Sequence, residues 1–492
     1  MSGNMSSGWV SRFISDVLAG LAVCWHAIFA PRSPWTAHND AGRKALDAGH
    51  YDDAERLFLL ALKTAEEFGP SDARLATSLN NLAWLYQLQA RHEEAELLHQ
   101  RALAIDEKTL APDDPVIAKR LNNLGLLYLR QAKYDQAEPL LGRALAIWEK
   151  ALGPYHMDVA TGLDNLAALY RCQAKFGEAE PLHKRSLAIR MSVLGPNHRS
   201  VAEVLNHLAM LYDCQGKYDQ AEPLYKRSLA ILEKVLGSDH TDVAASLNAL
   251  AMLYNSKGKY DLAEPLYKRS LAIREKALGP DHPDIAGTLN GLALLYDRQK
   301  KYAEAEPLNK RLLAIIEKSL GPDHPDVSIG LNNLAWLYNN QGRYAEAEPL
   351  YERALAISEK VLGPEHPNVA TNLNNLATVY RHRGKFDQAE PLHKRSLAIR
   401  EKVLGPDHPH VAASLNKLAL LYHSQGKHDQ AEPLHKRSLA IREKALGPDH
   451  PDFAEGLENY ADMLKVTGRA VEAADILKQA EGIRKRRQEK RS

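Results

Sequence analysis

The chain has 492 residues, with 63 Lys plus Arg against 62 Asp plus Glu, so its formal net charge is +1. A chain this neutral gives no global electrostatic reason to expect nucleic acid or an acidic partner. The hydrophobic fraction of 45% and the charged fraction of 25% are typical of soluble proteins. Composition alone therefore indicates an ordinary soluble chain.

Residues 1–35 form an apolar or amphipathic N-terminal segment, with a helical stripe of large apolar residues over 9–30. Its cleanest apolar stretch is shorter than the about 20 residues that a membrane-spanning helix needs. Arg12 precedes an apolar run, as in a signal peptide, but Asp16 interrupts the segment. A cleaved signal, a membrane anchor or surface helix, and a soluble cap remain open. We expect a cytoplasmic protein, or a membrane-associated or exported one if residues 9–30 act as anchor or signal.

Residues 36–70 are predicted to form a capping hairpin. Its second helix is marked by Ala54, Phe58 and Ala61, which recur at helical spacing. The helix before it, around residues 39–49, is more polar.

Residues 71–450 contain nine tandem repeats of 42 residues, each a predicted helix, turn and second helix. The phrase Leu-Asn-Asn-Leu-Ala begins at Leu79 and returns every 42 residues, with a degenerate copy at Leu457. Fixed periods of this size are typical of solenoids. Gly216 is placed to end a first helix, and Pro223 is expected in the first turn of a second helix. Cys172 and Cys214 lie one period apart, too far for a disulfide, and we expect free thiols.

The chain closes with a predicted capping repeat over residues 451–482 and a basic tail over 483–492. The capping repeat has Leu464 where other units have Tyr, and it gains Glu458 and Asp462. A terminal repeat needs such a polar outer face. The tail contains Arg-Lys-Arg-Arg from Arg484, which favours a solvated helix end over contact with an anionic surface.

The repeat resembles the tetratricopeptide repeat. In one unit, Ala209, Tyr212, Ala221, Tyr225 and Ser228 fall where that family has small and bulky residues. The period and the Leu-Gly-Pro-Asp-His-Pro-Asp linker are similar to the kinesin light chain type. The resemblance implies an all-α, right-handed superhelical solenoid of about eleven helix-turn-helix repeats. No sustained heptad segment precedes the repeats, so a motor adaptor role is not favoured.

An Asn follows the first leucine of the phrase in eight units, and we call these residues the amide column. Four positions later stands a run of mostly large apolar residues, the apolar stripe. In the family, this face of the first helix lines the concave groove, so the resemblance implies a peptide-binding groove. The candidate groove residues are Asn80, Trp84, Asn122, Leu126, Asn206, Met210, Asn248, Met252, Asn290, Leu294, Asn332, Trp336, Asn374 and Asn416. The alternative is that the amides bridge neighbouring first helices, and both roles are compatible.

A second column places one His in each linker from His156 to His450. Ligands of one metal ion must converge to about 2 Å from it, whereas residues of neighbouring units stand roughly 9–10 Å apart. We therefore expect these histidines to be linker or cap residues. The sequence predicts no metal site, no cofactor and no catalytic residues.

The leading functional hypothesis is a non-enzymatic scaffold or adaptor that binds extended segments of a partner protein. An alternative is a regulatory sensor subunit that controls a separate effector protein. An enzyme finds no support in the residue pattern. We expect a protein or peptide partner, no nucleic acid, membrane contact only through residues 9–30, and a monomer.

Overall fold

The computed structural model describes residues 33–489, and this range is all-α, without strands. Its 22 α-helices form eleven helix-turn-helix pairs, so the expected tandem-repeat fold is confirmed. In each pair the odd-numbered helix is the first and the even-numbered helix the second. The helices are α1 Pro34–Asp47, α2 Tyr51–Glu66, α3 Ala73–Leu88, α4 His92–Thr109, α5 Pro115–Arg130, α6 Tyr134–Leu152, α7 Met157–Cys172, α8 Phe176–Leu194, α9 Arg199–Cys214, α10 Tyr218–Leu236, α11 Thr241–Ser256, α12 Tyr260–Leu278, α13 Ala286–Arg298, α14 Tyr302–Leu320, α15 Pro325–Asn340, α16 Tyr344–Leu362, α17 Pro367–His382, α18 Phe386–Leu404, α19 Pro409–Ser424, α20 His428–Leu446, α21 Pro451–Val466 and α22 Ala470–Glu489. A 3₁₀ turn at Pro283–Ile285 precedes α13.

The described residues divide into two units, one of residues 33–88 with 93–110 and the other of residues 89–92 with 111–489. Within the first unit, Ala65, Leu79 and Ala102 form a buried core between its helices. The indole N–H of Trp35 donates to Ser78 Oγ over 2.8 Å. Helix α1 begins at Pro34, before the boundary set at residue 36, because Ser33 caps it and proline suits the first helical position.

The alternatives for the N-terminal segment fall on residues 1–32, outside the described residues. Over residues 33–489, no helix combines the length and the apolar character that crossing a membrane requires.

In the second unit, the linker histidines begin the first helices. The Nδ1 atom of His240 accepts the backbone N–H of Asp242 over 3.1 Å, and His366 does the same for Asn368. An imidazole that accepts at Nδ1 carries its proton on Nε2. Each such histidine therefore caps a helix and keeps one N–H available for a further contact.

The Nε2 atoms of two linker histidines reach the ends of distant first helices. His366 Nε2 lies 3.3 Å from the carbonyl oxygen of Arg130, and His408 Nε2 lies 3.3 Å from that of Cys172. Both pairs are 236 residues apart in the chain. Because the last carbonyls of an α-helix lack intrahelical donors, these histidines satisfy acceptors more than five repeats away.

Within a repeat, small residues let the two helices approach closely. Ala209 and Ala221 are fully buried, and Tyr225 packs in the same core. The hydroxyl of Ser228 donates to the carbonyl oxygen of Ala202 over 2.9 Å, which ties α10 to α9. These contacts explain why the small and aromatic positions of the repeat recur.

Proline in the second helices lies deeper than the first turn that we predicted. Helix α10 begins at Tyr218, and Pro223 is its sixth residue, inside the helix. Its ring removes the hydrogen bond that the carbonyl oxygen of Asp219 would otherwise accept. The prediction was wrong because Tyr218 and Asp219, which follow the turn residue Lys217, are already helical.

The basic tail is not a separate segment over its described part. Helix α22 continues to Glu489, and Ile483 is buried against Phe453 and Leu457. Arg484 donates two hydrogen bonds of 2.6 Å to the Glu458 carboxylate. The boundary at residue 483 therefore cuts a packed terminal helix.

Candidate functional site

The predicted groove residues all lie on first helices. Asn80 and Trp84 belong to α3 in the first unit, and the others belong to the second unit. In the second unit, α5 carries Asn122 and Leu126, α9 carries Asn206 and Met210, α11 carries Asn248 and Met252, α13 carries Asn290 and Leu294, α15 carries Asn332 and Trp336, α17 carries Asn374, and α19 carries Asn416.

Part of the amide column links neighbouring first helices. The side-chain amide of Asn333 donates to the oxygen of Asn290 over 2.8 Å, and Asn375 donates to Asn332 over 3.0 Å. Asn165 donates to Asn122 over 2.7 Å in the same way. Each donor stands 43 residues after its acceptor, so in these three cases an amide of one repeat meets an amide of the next repeat.

This series of amide-to-amide hydrogen bonds is interrupted in the middle of the second unit. The side-chain oxygens of Asn206 and Asn248 are buried without a hydrogen-bond partner among the described residues. The donor position 43 residues later holds Ala249 in one case and Gly291 in the other. A buried acceptor left unpaired costs about 1–3 kcal/mol, so the interruption is expensive in a purely structural column.

The apolar stripe is exposed over four consecutive repeats that include this interruption. The exposed fractions are 38% for Met210, 52% for Met252, 38% for Leu294 and 38% for Trp336. Adjacent first helices of such an array stand roughly 9–10 Å apart, so the four side chains extend over about 30 Å. A row of large apolar side chains left in solvent marks a candidate contact surface.

A pocket of about 370 Å³ opens at one end of the exposed stripe. Trp336, Ile329 and Pro325 contribute apolar surface, and every other lining side chain is an uncharged amide or hydroxyl. At its base, Asn372 donates to Ser328 Oγ over 3.0 Å and to Ser358 Oγ over 2.8 Å. The pocket lining is therefore uncharged, which favours an uncharged ligand group.

Comparison with known families decides what kind of array this is. The tetratricopeptide repeat model matches residues 32–108 and then, in overlapping segments, residues 117–486. The chain belongs to the tetratricopeptide repeat family. Members of this family generally mediate protein–protein interactions. No curated protein matches the sequence.

Solved structures with similar repeats include kinesin light chain-like proteins. A protein from Podosopora anserina, assigned as a kinesin light chain with nearly identical TPR-like repeats, is 31% identical, with 42% of this chain and 97% of that chain covered and a TM-score of 0.36. BtubC (BKLC) from P. vanneervenii is 27% identical over 46% of this chain and 89% of that chain, with a TM-score of 0.37. A Rap protein complexed with Competence and Sporulation Factor is 16% identical over 76% of this chain and 99% of that chain, with a TM-score of 0.47.

One tetratricopeptide unit carries a polar cluster that the sequence analysis missed. Asp164 occupies the amide-column position of its repeat, and its carboxylate is buried. His183 Nδ1 lies 2.9 Å from Asp164 Oδ1, while Ser186 and Arg190 donate to Oδ2 over 2.8 and 2.9 Å. The exposed His207 side chain lies beside them. The replacement of Asn by Asp in the column was the available signal.

Proposed function

We propose that this protein is a non-enzymatic interaction scaffold that binds an extended segment of a partner protein. The binding face is the exposed apolar stripe of Met210, Met252, Leu294 and Trp336 with the amides beside it. The observation that carries the proposal is that these four side chains remain in solvent on consecutive repeats. Elsewhere in the stripe, Thr378 is buried.

The spacing of the stripe suits an extended peptide. A β-like segment rises about 3.3 Å per residue, so roughly nine residues match the about 30 Å between Met210 and Trp336. Every third residue of that segment would meet one apolar side chain. The side-chain N–H groups of Asn206 and Asn248 could donate hydrogen bonds to its backbone carbonyls, whereas the buried side-chain oxygens lie out of its reach.

The chemistry of the pocket specifies the character of the segment. The uncharged lining beside Trp336 favours an apolar or neutral polar side chain over a carboxylate, which would lose its hydration without gaining a cationic partner. We therefore expect the partner segment to carry apolar residues at intervals of about three, and no acidic residue at the pocket end.

Affinity capture followed by calorimetry tests this proposal. A partner is captured with the wild-type chain, and the shortest segment of it that still binds is made as a synthetic peptide. The affinity of this peptide for the wild-type chain is then compared with its affinity for a variant in which Met210, Met252 and Leu294 are changed to Ser. The matched control changes Val193 and Val235 to Ser, since both are exposed apolar residues on second helices. We expect at least tenfold weaker binding to the stripe variant and unchanged binding to the control. Equal affinity for both variants would refute the proposal.

A further inference from the structure

Two departures from the repeat pattern meet a recurring histidine at one point in the second unit. Asp164 on α7 replaces the amide-column Asn, and His207 on α9 stands where other repeats have Asn333 or Asn375. His183 on α8 lies between them. Three different helices therefore bring a carboxylate and two imidazoles together, although the residues are separated by about twenty positions in the chain.

The donor atoms of these side chains are close enough to share an ion. One carboxylate oxygen and one nitrogen from each ring all lie within 4.8 Å of one another. The His183 and His207 ring centroids are 5.7 Å apart, with an interplanar angle of 42°. Asp164 and His183 are buried, whereas His207 is exposed and closes the group from the solvent side.

The surroundings hold the carboxylate in a fixed orientation. Ser186 and Arg190 donate to Asp164 Oδ2, so Oδ1 is the oxygen that meets the His183 ring. Donors that orient a ligating carboxylate in this way are the usual second layer of a metal site. The guanidinium also balances the buried charge when no cation is bound.

We propose that Asp164, His183 and His207 bind a divalent transition-metal ion of the Zn²⁺ class. One carboxylate and two imidazoles form a nitrogen–oxygen donor set that suits Zn²⁺, Co²⁺ or Ni²⁺. The ion takes the place of the proton shared between His183 and Asp164, and the exposed His207 ring moves to complete the set. Because only three ligands come from the protein, at least one coordination position remains open toward the solvent side.

Five repeats later, the equivalent three positions keep the histidine but lack the other two proposed ligands. Asn374, His393 and Lys417 occupy the positions of Asp164, His183 and His207. His393 Nδ1 lies 2.7 Å from Asn374 Oδ1, so the packing of the histidine is retained. An amide and an ammonium group cannot replace the two lost ligands. Metal binding at the first cluster is therefore not a property of the repeat in general.

Metal titration of the full-length chain tests the site. Zn²⁺ is titrated by calorimetry, and Co²⁺ is followed by its visible ligand-field absorption. The Asp164→Asn and His207→Asn variants introduce the residues that other repeats use at these positions, and His207 is exposed, so His207→Asn keeps the fold testable. We expect one Zn²⁺ site in the wild type and at least tenfold weaker binding, with loss of the Co²⁺ band, in each variant.

A matched control separates this cluster from other histidines. His423 Nδ1 and His428 Nδ1 lie 3.3 Å apart without a carboxylate ligand in the group, so His428→Asn is expected to leave the Zn²⁺ affinity unchanged. The proposal is overturned if the wild type does not bind Zn²⁺ at micromolar concentration, or if His207→Asn binds as tightly as the wild type. Neither result depends on the identity of a protein partner.

Discussion

Acid is expected to open the repeat that contains His393. This side chain is fully buried, and burial lowers its pKa to about 3, with further lowering by Lys417 and Arg381. In the unfolded chain the pKa is about 6.5. The folded state therefore excludes a proton that the unfolded state accepts. The stability from this group is complete above pH 6.5 and falls as the pH drops from there toward 3.

The size of the effect at pH 5 follows from the unfolded state. At that pH, His393 is neutral in the folded repeat and mostly protonated in the open one. A folded-state pKa lower than 3 would therefore hardly change the free energy of opening. Linkage gives a loss of about 2 kcal/mol between pH 7 and pH 5, or roughly a 25-fold larger opening constant. In a repeat array, this loss acts first on the local pair α17–α18.

Hydrogen exchange of α17 and α18 at the two pH values measures this opening, after correction for intrinsic exchange rates. His393→Tyr is the matched variant, because Tyr267 and Tyr351 fill the same position in other repeats. The variant should lose the part of the pH dependence in α17–α18 that comes from His393 and keep the part from His366 and His382, whose pKa values burial also lowers. The Tyr267 repeat should show little of the His393 effect in the wild type. If His393→Tyr retained the full 25-fold change, burial of this imidazole would not be its cause.

Two further substitutions test packing and capping. Gly291→Ala would place a Cβ atom 2.4 Å from the buried Tyr267 ring, and overpacking of about 1–3 kcal/mol should outweigh the about 1 kcal/mol gain in helix propensity. Gly287→Ala is on the same helix, and its added Cβ atom would meet no other atom within 4 Å, so this variant should be more stable than the wild type. Urea unfolding that found Gly291→Ala more stable than Gly287→Ala would contradict this expectation. His408→Ala should lower exchange protection at the start of α19 by about 0.5–2 kcal/mol. His408→Asn should keep the cap while it loses the contact with the end of α7 and the ring contact with His410. Equal exchange in both His408 variants would show that the cap contributes nothing.

The helices and their caps could be predicted from the sequence because both are local. Gly216 has φ +68°, as the turn pattern indicated, and the linker histidines begin the first helices. Pro223 was misplaced because the turn before α10 is shorter than we assumed. Local periodicity was sufficient to assign these elements, although not every helix boundary.

The sequence of one repeat alone could not show which amides of the column bond to the next repeat and which do not. Asn290 is engaged by Asn333, 43 positions later, whereas Asn206 has no amide at the corresponding position, and this relation exists only once the repeats are stacked. The cluster around Asp164 needs three helices in register. The partners of His366 and His408 depend on the rotation accumulated over several repeats, which no local pattern encodes.

The long-range histidine contacts also bear on how this chain can change its length. Each contact joins a linker to the end of a first helix, and linkers of nearly the same form recur from His156 to His450. Duplication or deletion of one whole 42-residue unit would exchange one partner for an equivalent one. An insertion of a few residues inside a unit would instead shift every later histidine away from its acceptor. Exchange of whole repeats is therefore compatible with these contacts, whereas a small internal insertion would break them.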